Sequence, residues 1–254
     1  LNLSVQKDTD NLLSLGFTMP SLKEMFKINT NLSWQTLNQT YNSVKENSLH
    51  KLNTFTVQGN GTYFASTFFE ESLGLMVKSD FLNSTDAGNV NQFSGFIKET
   101  TVLRPKDFIN ITVPLSVNFN GANFVFIPSI GVRFEIKNIA LFTNASRLFL
   151  FPNLNQLYWK NTGNACGNPN LKPEDGISFE LGMEAKNIPV PLSLTLFSNY
   201  YKNKIQWRTV NNIWTPQNTA SAFYVGADLS LQYQPFSFLT FKLDYEYLYN
   251  TLVE

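Results

Sequence analysis

Few side chains in this sequence could do covalent or metal chemistry. One histidine, His50, and one cysteine, Cys166, occur in 254 residues. A histidine-based metal cluster and an internal disulfide are both excluded within the chain. A nucleophilic centre of the Ser-His-Asp or Cys-His kind would have to use His50. That residue stands in the polar run Asn47-Ser48-Leu49-His50-Lys51, which reads as a loop carrying an incidental surface histidine. Asp244 and Glu246 lie two positions apart, as paired acid-base carboxylates can, but the alternation around them reads as a solvated face. Asp80, Asp86 and Asp107 are too scattered for a calcium site, which needs several converging oxygens. No catalytic residue, resident metal or cofactor is expected. The remaining chemistry is recognition. Asn155, Gln156, Tyr158, Trp159 and Asn161 form one group of aromatic and amide side chains, and Arg208, Asn212 and Trp214 form another. Such a set suits a large, neutral, polar-edged ligand held by stacking and hydrogen bonds. Packing within loops is the competing use of each.

Composition bounds what could position these residues. Lys+Arg and Asp+Glu are 19 each, so the net charge is zero. Without a basic surplus to neutralise phosphates, nucleic acid is not expected as a partner. Charged residues make up 15%, against about 25% in ordinary soluble domains. Aromatic residues also make up 15%, with 23 Phe. Disordered chains are charged and poor in aromatics, so this chain folds.

The dominant pattern is a period of two, the strand period. Over 108–120, Ile109, Ile111, Val113, Leu115, Val117 and Phe119 share one face, against Asn110, Thr112, Pro114, Ser116, Asn118 and Asn120. About thirteen such segments are legible: 1–6, 12–19, 25–37, 52–65, 72–82, 93–103, 108–120, 124–136, 139–149, 176–186, 192–207, 221–234 and 238–250. Several run well past the roughly 5–6 residues usual in soluble proteins. They suit a tilted strand crossing a bilayer, which needs about 9–11 residues. Short turns at 20–24, 104–107, 137–138, 187–191 and 235–237 alternate with longer connections at 38–51, 83–92, 150–175 and 208–220. The tight Gly121-Ala122-Asn123 is an exception. This is the pattern of an all-β, antiparallel transmembrane β-barrel, apolar outside and polar inside. Tyr41, Phe81, Phe93, Phe108, Tyr158, Trp159, Tyr200, Tyr201, Trp207 and Tyr249 then read as interface aromatics.

One stretch is more specific than any pattern. Leu150 to Trp159 reads L-F-P-N-L-N-Q-L-Y-W; Gly167 to Glu174 reads G-N-P-N-L-K-P-E; Ser178 to Gly182 reads S-F-E-L-G. In order, spacing and strand context this resembles the TonB-dependent outer-membrane receptors, over about residues 72–250. Pro152, Leu157, Gly167, Asn168, Pro169, Leu171, Pro173 and Glu174 carry the resemblance. Physically they read as scaffold: the prolines fix φ and remove donors, Gly167 permits a tight backbone, and Glu174 can accept loop amides. The resemblance implies a 22-stranded barrel around an N-terminal plug. About thirteen strands are visible and no plug or closing strand is, so residues 1–254 read as a fragment of one barrel domain. The opening Leu1-Asn2-Leu3-Ser4 reads as strand and not as a leader, which also places the chain within a longer protein.

The implied function is ligand-gated uptake across a bacterial outer membrane, not catalysis. The implied partners are lipid bilayer and lipopolysaccharide, an inner-membrane TonB energy-transducing complex reached through the plug, and a small-molecule metal chelate or cobalamin. Asn168-Pro169-Asn170-Leu171 resembles a box found in haem receptors of the family, but no histidine lies in 151–167, which disfavours haem. Asn155-Gln156-Leu157-Tyr158-Trp159 resembles the cobalamin-receptor branch, while siderophore receptors share most of the signature. Two other readings remain: a passive porin or adhesin barrel, and a soluble β-sandwich that binds glycans through its aromatics.

Overall fold

Alternation along β6 (Ile109–Asn120) sets the apolar row from Ile109 to Phe119 on one side of the strand. β7 (Asn123–Ile136) pairs with it so that Phe134, Val132, Pro128, Phe126 and Phe124 stand opposite Ile111 and its neighbours on the same side. β8 (Ile139–Leu150) and β9 (Glu174–Ala185) extend the row through Leu141, Leu181 and Phe179. The opposite side carries Asn110, Ser116, Arg133, Asn144, Glu180 and Glu184. A one-residue slip in any pairing would exchange the two sides, so the hydrophobic pattern fixes the register.

The computed structural model describes residues 4–22, 25–43 and 47–253. Before β6 lie β1 (Val5–Leu22), β2 (Phe26–Asn42), β3 (Asn47–Phe64), β4 (Phe69–Ser84) and β5 (Gly88–Lys106). After β9 come β10 (Leu192–Lys202), β11 (Ile205–Val210), β12 (Ile213–Asn218), β13 (Ser221–Phe236) and β14 (Leu239–Val253). Twelve strands form one antiparallel sheet in the order β1 to β10, then β13 and β14; β11 and β12 form a separate hairpin. Each strand of this sheet pairs with the next one of the sheet along the chain, the β11–β12 hairpin being inserted between β10 and β13, in the up-and-down order of a membrane barrel.

This sheet has no second layer. Among the described residues the buried hydrophobic side chains are only Ala87, Val125, Ala140, Leu171, Ala185, Ile205 and Ala222, while Phe124, Phe126, Leu181, Phe241 and Tyr245 are exposed. The accessible area is 16519 Å² for 28.9 kDa, against roughly 11,000 Å² for a compact soluble protein of that mass. A sandwich would bury those rings between its sheets, so the glycan-binding sandwich is ruled out.

Several strand boundaries differ from the sequence reading, each for a physical reason. The end of segment 1–6, from Val5, and segment 12–19 belong to one strand, β1, paired with β2 from Val5↔Asn42 onward; residues 1–3 lie outside the described residues. Its polar run Gln6–Asn11 rises above the membrane, where both faces meet water and nothing imposes alternation. For the same reason 38–51 and 83–92 are mostly strand, with β2 running to Asn42, β3 starting at Asn47 and a three-residue turn at 85–87. The stretch 192–207 breaks at Asn203, whose φ is +55°, and 208–220 holds a hairpin rather than a loop. Its turn, Asn211-Asn212, has φ of 51° and 65°, the left-handed pair that a two-residue hairpin requires. The described residues hold fourteen strands, twelve of them in the wall. In the turn at 20–24, Lys23 and Glu24 lie outside the described residues.

Candidate functional site

Connections alternate between two ends of the sheet, and the long ones share an end. There Phe151–Pro173 leaves the wall between β8 and β9, and β11–β12 stands between β10 and β13. The excursion contains a helix, α1 (Leu154–Tyr158), that the period-two reading does not foresee. A capping box starts it: Gln156 N donates to Asn153 Oδ1 at 2.8 Å, and Asn153 N donates to Gln156 Oε1 at 2.9 Å. That Asn-x-x-Gln spacing was the available sequence sign; five residues are too few to show a helical period.

The G-N-P-N-L-K-P-E stretch clamps this helix to the hairpin. Gly167 N donates to Trp159 O at 2.8 Å, and Asn168 N to Gln156 O at 2.7 Å. A Cβ on Gly167 would stand 2.7 Å from Trp159 N and 2.9 Å from the Leu157 carbonyl, so only glycine fits. Asn168 Nδ2 donates to Pro216 O at 3.1 Å, and Lys172 N and Asn218 Oδ1 meet at 2.7 Å. Glu174, 3% exposed, accepts from Ile205 N at 2.9 Å and from Lys204 Nζ at 2.7 Å. Leu171, Ile205 and Pro216 are buried around these bonds. Pro152 is buried, Leu157 and Pro173 are half-buried, and Pro169 is exposed.

A second tie joins the excursion to the β3–β5 tip. Lys160 Nζ donates to Thr85 O at 2.8 Å, and Lys160 N donates to Asp86 O. His50 lies in β3, not in a loop, with its ring 6.2 Å from that of Trp159. Its Nδ1 meets Ser84 Oγ at 2.8 Å, and its Nε2 is 3.4 Å from Asp86 Oδ2. Ser84 Oγ already accepts from Asp86 N and Ala87 N, so its O–H points to the ring. With both lone pairs engaged, this Ser-His-Asp row has no free nucleophile and acts as a clasp.

Between α1 and the hairpin lies a groove of about 350 Å³, lined by Asn153, Asn155, Gln156, Trp159, Ala165, Trp207 and Trp214. Trp207 and Trp214 stand on one hairpin face, since Trp207 is opposite Pro216 and Trp214 opposite Thr209. Trp214 is 49% exposed, and the Trp159 indole N–H is buried without a hydrogen-bond partner. No charged side chain lines this groove. Of the residues singled out from sequence, Asn155, Gln156, Trp159 and Trp214 meet here. Tyr158 instead lines a neighbouring cavity of about 720 Å³. Asn161 caps a turn by accepting from Gly163 N, Arg208 lies on the opposite hairpin face beside Gln206, and Asn212 forms the hairpin turn. The sequence reading missed Asn153 and treated Trp207 as an interface ring. Asp244 and Glu246 stand with Asp228 and Ser230 on the polar side of β13–β14.

A single antiparallel sheet with one apolar and one polar side, tall strands and all long connections at one end defines a transmembrane barrel of the bacterial outer membrane. Residues 5–253 match the family model described as TonB dependent receptor-like, beta-barrel, and the chain belongs to that family. It is similar to the vitamin B12 transporter BtuB of Vibrio vulnificus, 31% identical over 88 residues, which are 34% of this chain and 14% of that transporter. Its fold is similar to the siderophore receptor PirA of Pseudomonas aeruginosa, with a TM-score of 0.83 and 17% identity, covering 97% of this chain and 51% of PirA. The hemophore receptor HasR of Serratia marcescens, solved with its hemophore HasA and heme, gives a TM-score of 0.82 at 9% identity, covering 97% of this chain and 49% of HasR. The chain thus spans about half the length of these solved relatives, and a smaller share of the transporter.

Proposed function

We propose that this barrel belongs to an uptake receptor whose substrate is a large, uncharged, amide-edged metal complex of the cobalamin type. The observation that carries this reading is the groove: three indoles, three side-chain amides and no charge. Indole faces stack on a flat or ring-edged ligand, the Asn155 carboxamide can exchange paired hydrogen bonds with a ligand amide, and the amide N–H groups of Asn153 and Gln156, whose oxygens cap α1, can donate. An anionic metal chelate would call for arginine or lysine, whereas Lys160 is engaged with Thr85, Lys204 with Glu174, and Arg208 lies on the hairpin face opposite the groove. The likeness to a vitamin B12 transporter supports the same reading. Entry of the bound ligand would draw on the TonB energy-transducing complex through a plug.

The test is equilibrium binding of cyanocobalamin and of a ferric catecholate siderophore to outer membranes carrying the receptor. Saturable cyanocobalamin binding is expected, weakened about tenfold by Trp214→Ala, the worth of one lost stacking partner. Saturable binding of the anionic chelate alone would overturn the substrate class. Passage of either compound without energisation would instead favour a passive pore.

A further inference from the structure

The wall has a step at its outer end. β5 pairs with β4 up to Ser84↔Gly88, but with β6 only up to Ser94↔Asn120. β6 turns into β7 at Gly121-Ala122, and Gly121 N donates to Phe93 O at 2.8 Å. Above that bond, residues 88–92 have β4 on one side and, among the described residues, no strand on the other. Backbone bonding groups alternate between the two sides of a strand. Phe93 O points toward β6, so the N–H and C=O of Asn89 and Asn91 point the same way, into the space above the β6–β7 turn. Among the described residues nothing bonds them there, and both asparagines are exposed.

Proteins blunt a free strand edge with charge, proline or a bulge. Across the step, β7 and β8 part beyond Ser129↔Ser146, and their edges there carry Pro128, which has no N–H, and Arg147. The stretch Gly88-Asn89-Val90-Asn91-Gln92-Phe93 has neither charge nor proline, and its ladder with β4 runs without a register shift. The cavity of about 720 Å³ beside it is apolar on its far side, at Phe149, Phe151, Leu154, Leu157 and Tyr158. Among the described residues Arg147 is the one charged side chain lining it. Asp175 holds two of the five guanidinium N–H groups and Phe126 O a third, which leaves two.

We infer that this step is a docking site for an extended segment of a second protein outside the cell, which adds to the sheet beside β5 and continues the line of β6. Its backbone would exchange bonds with both groups of Asn89 and both of Asn91. Its side chains would be apolar at alternate positions, against the rings and leucines of the cavity, with a carboxylate for the free N–H groups of Arg147. The regular spacing of donors and acceptors along the edge suits a strand, not a compact small molecule. A second copy of the receptor does not fit. Two barrels upright in one membrane would bring these strands together at about twice their usual tilt of 35–45°, too steep to pair. The site is separate from the Trp159–Trp214 groove and stands whatever that groove binds.

The experiment uses the receptor extracted from outer membranes and, as probe, a fluorescent peptide of about eight residues that alternates valine and threonine around one glutamate. Fluorescence polarisation should show saturable binding, and amide hydrogen exchange should slow at Asn89 and Asn91. Methylating the central amide nitrogens of the peptide keeps its side chains but removes its donors, and should weaken binding at least about tenfold. Asn91→Pro should do the same, because the N–H it removes lies outside the β4–β5 ladder. Asn91→Ala keeps that N–H and should bind within about twofold of the parent. Glutamine in place of the glutamate should weaken binding severalfold. If Asn91→Pro fails to fold, the methylated peptide carries the test. Absence of saturable binding, or equal binding of the methylated peptide, would overturn the proposal. So would slow exchange at Asn89 and Asn91 before any peptide is added, which would mark an edge the receptor covers itself.

Discussion

The wall and the cap of this molecule hold their neighbours by different means. β6 pairs with β5 and β7 through backbone ladders that nearly any residue can make, and its sequence need only alternate. Between Pro152 and Glu174 the ladder is absent, and particular atoms replace it: Asn153 Oδ1, Gly167 N, Asn168 Nδ2 and both Glu174 oxygens. In the wall, identity is loose and pattern is strict. In the cap, pattern is missing and identity is strict. That contrast explains why a motif of eight residues identifies the family more sharply than twelve long strands do.

Mutations can break the contrast at either side. Glu174→Ala should have the largest effect, because it strips a buried acceptor from Ile205 N and leaves Lys204 unpaired. A loss of about 3–5 kcal/mol is expected, confined to the cap. Limited proteolysis should then cut within 203–220 while the heat-modifiable migration of the barrel is unchanged. Next comes the wall. Leu115→Arg should cost about 2–4 kcal/mol, and Ser116→Arg on the polar side about 0–1 kcal/mol, read by urea unfolding in lipid vesicles. Equal costs would mean that the two sides do not meet different media.

Gly167→Ala should cost about 1–3 kcal/mol, since the α1–Gly167 contact must open. Proteolysis of the cap would show it, with strand content by circular dichroism unaltered. Asn153→Ala is the smallest change. It removes a cap acceptor worth about 1 kcal/mol and should raise amide hydrogen exchange at Gln156 alone, with little effect at Gly167.

The same contrast decides what could be read from sequence. β6 is legible because its two faces meet different media. The upper part of β1 is not, because Lys7 to Asn11 meet water on both sides. Trp207 was misplaced for a related reason: the apolar alternation runs on from β10, and only the left-handed Asn203 separates the hairpin. Gln156 and Trp159 could be singled out by type, whereas their convergence with Trp214 depends on bonds such as Trp214 N to Asn164 O, fifty residues apart in the chain. His50 looked incidental because Ser84 and Asp86 reach it only through the β3–β4 register.

The most direct measurement concerns which side of the sheet meets lipid. Single cysteines at Val113, Leu115 and Val117, and at Thr112, Ser116 and Asn118, can be placed in a Cys166→Ser background and exposed in native outer membranes to a charged, membrane-impermeant maleimide. The first three should be protected and the second three should react at least about tenfold faster. Equal reactivity at all six, or protection of the polar set, would contradict a barrel whose apolar side faces the bilayer.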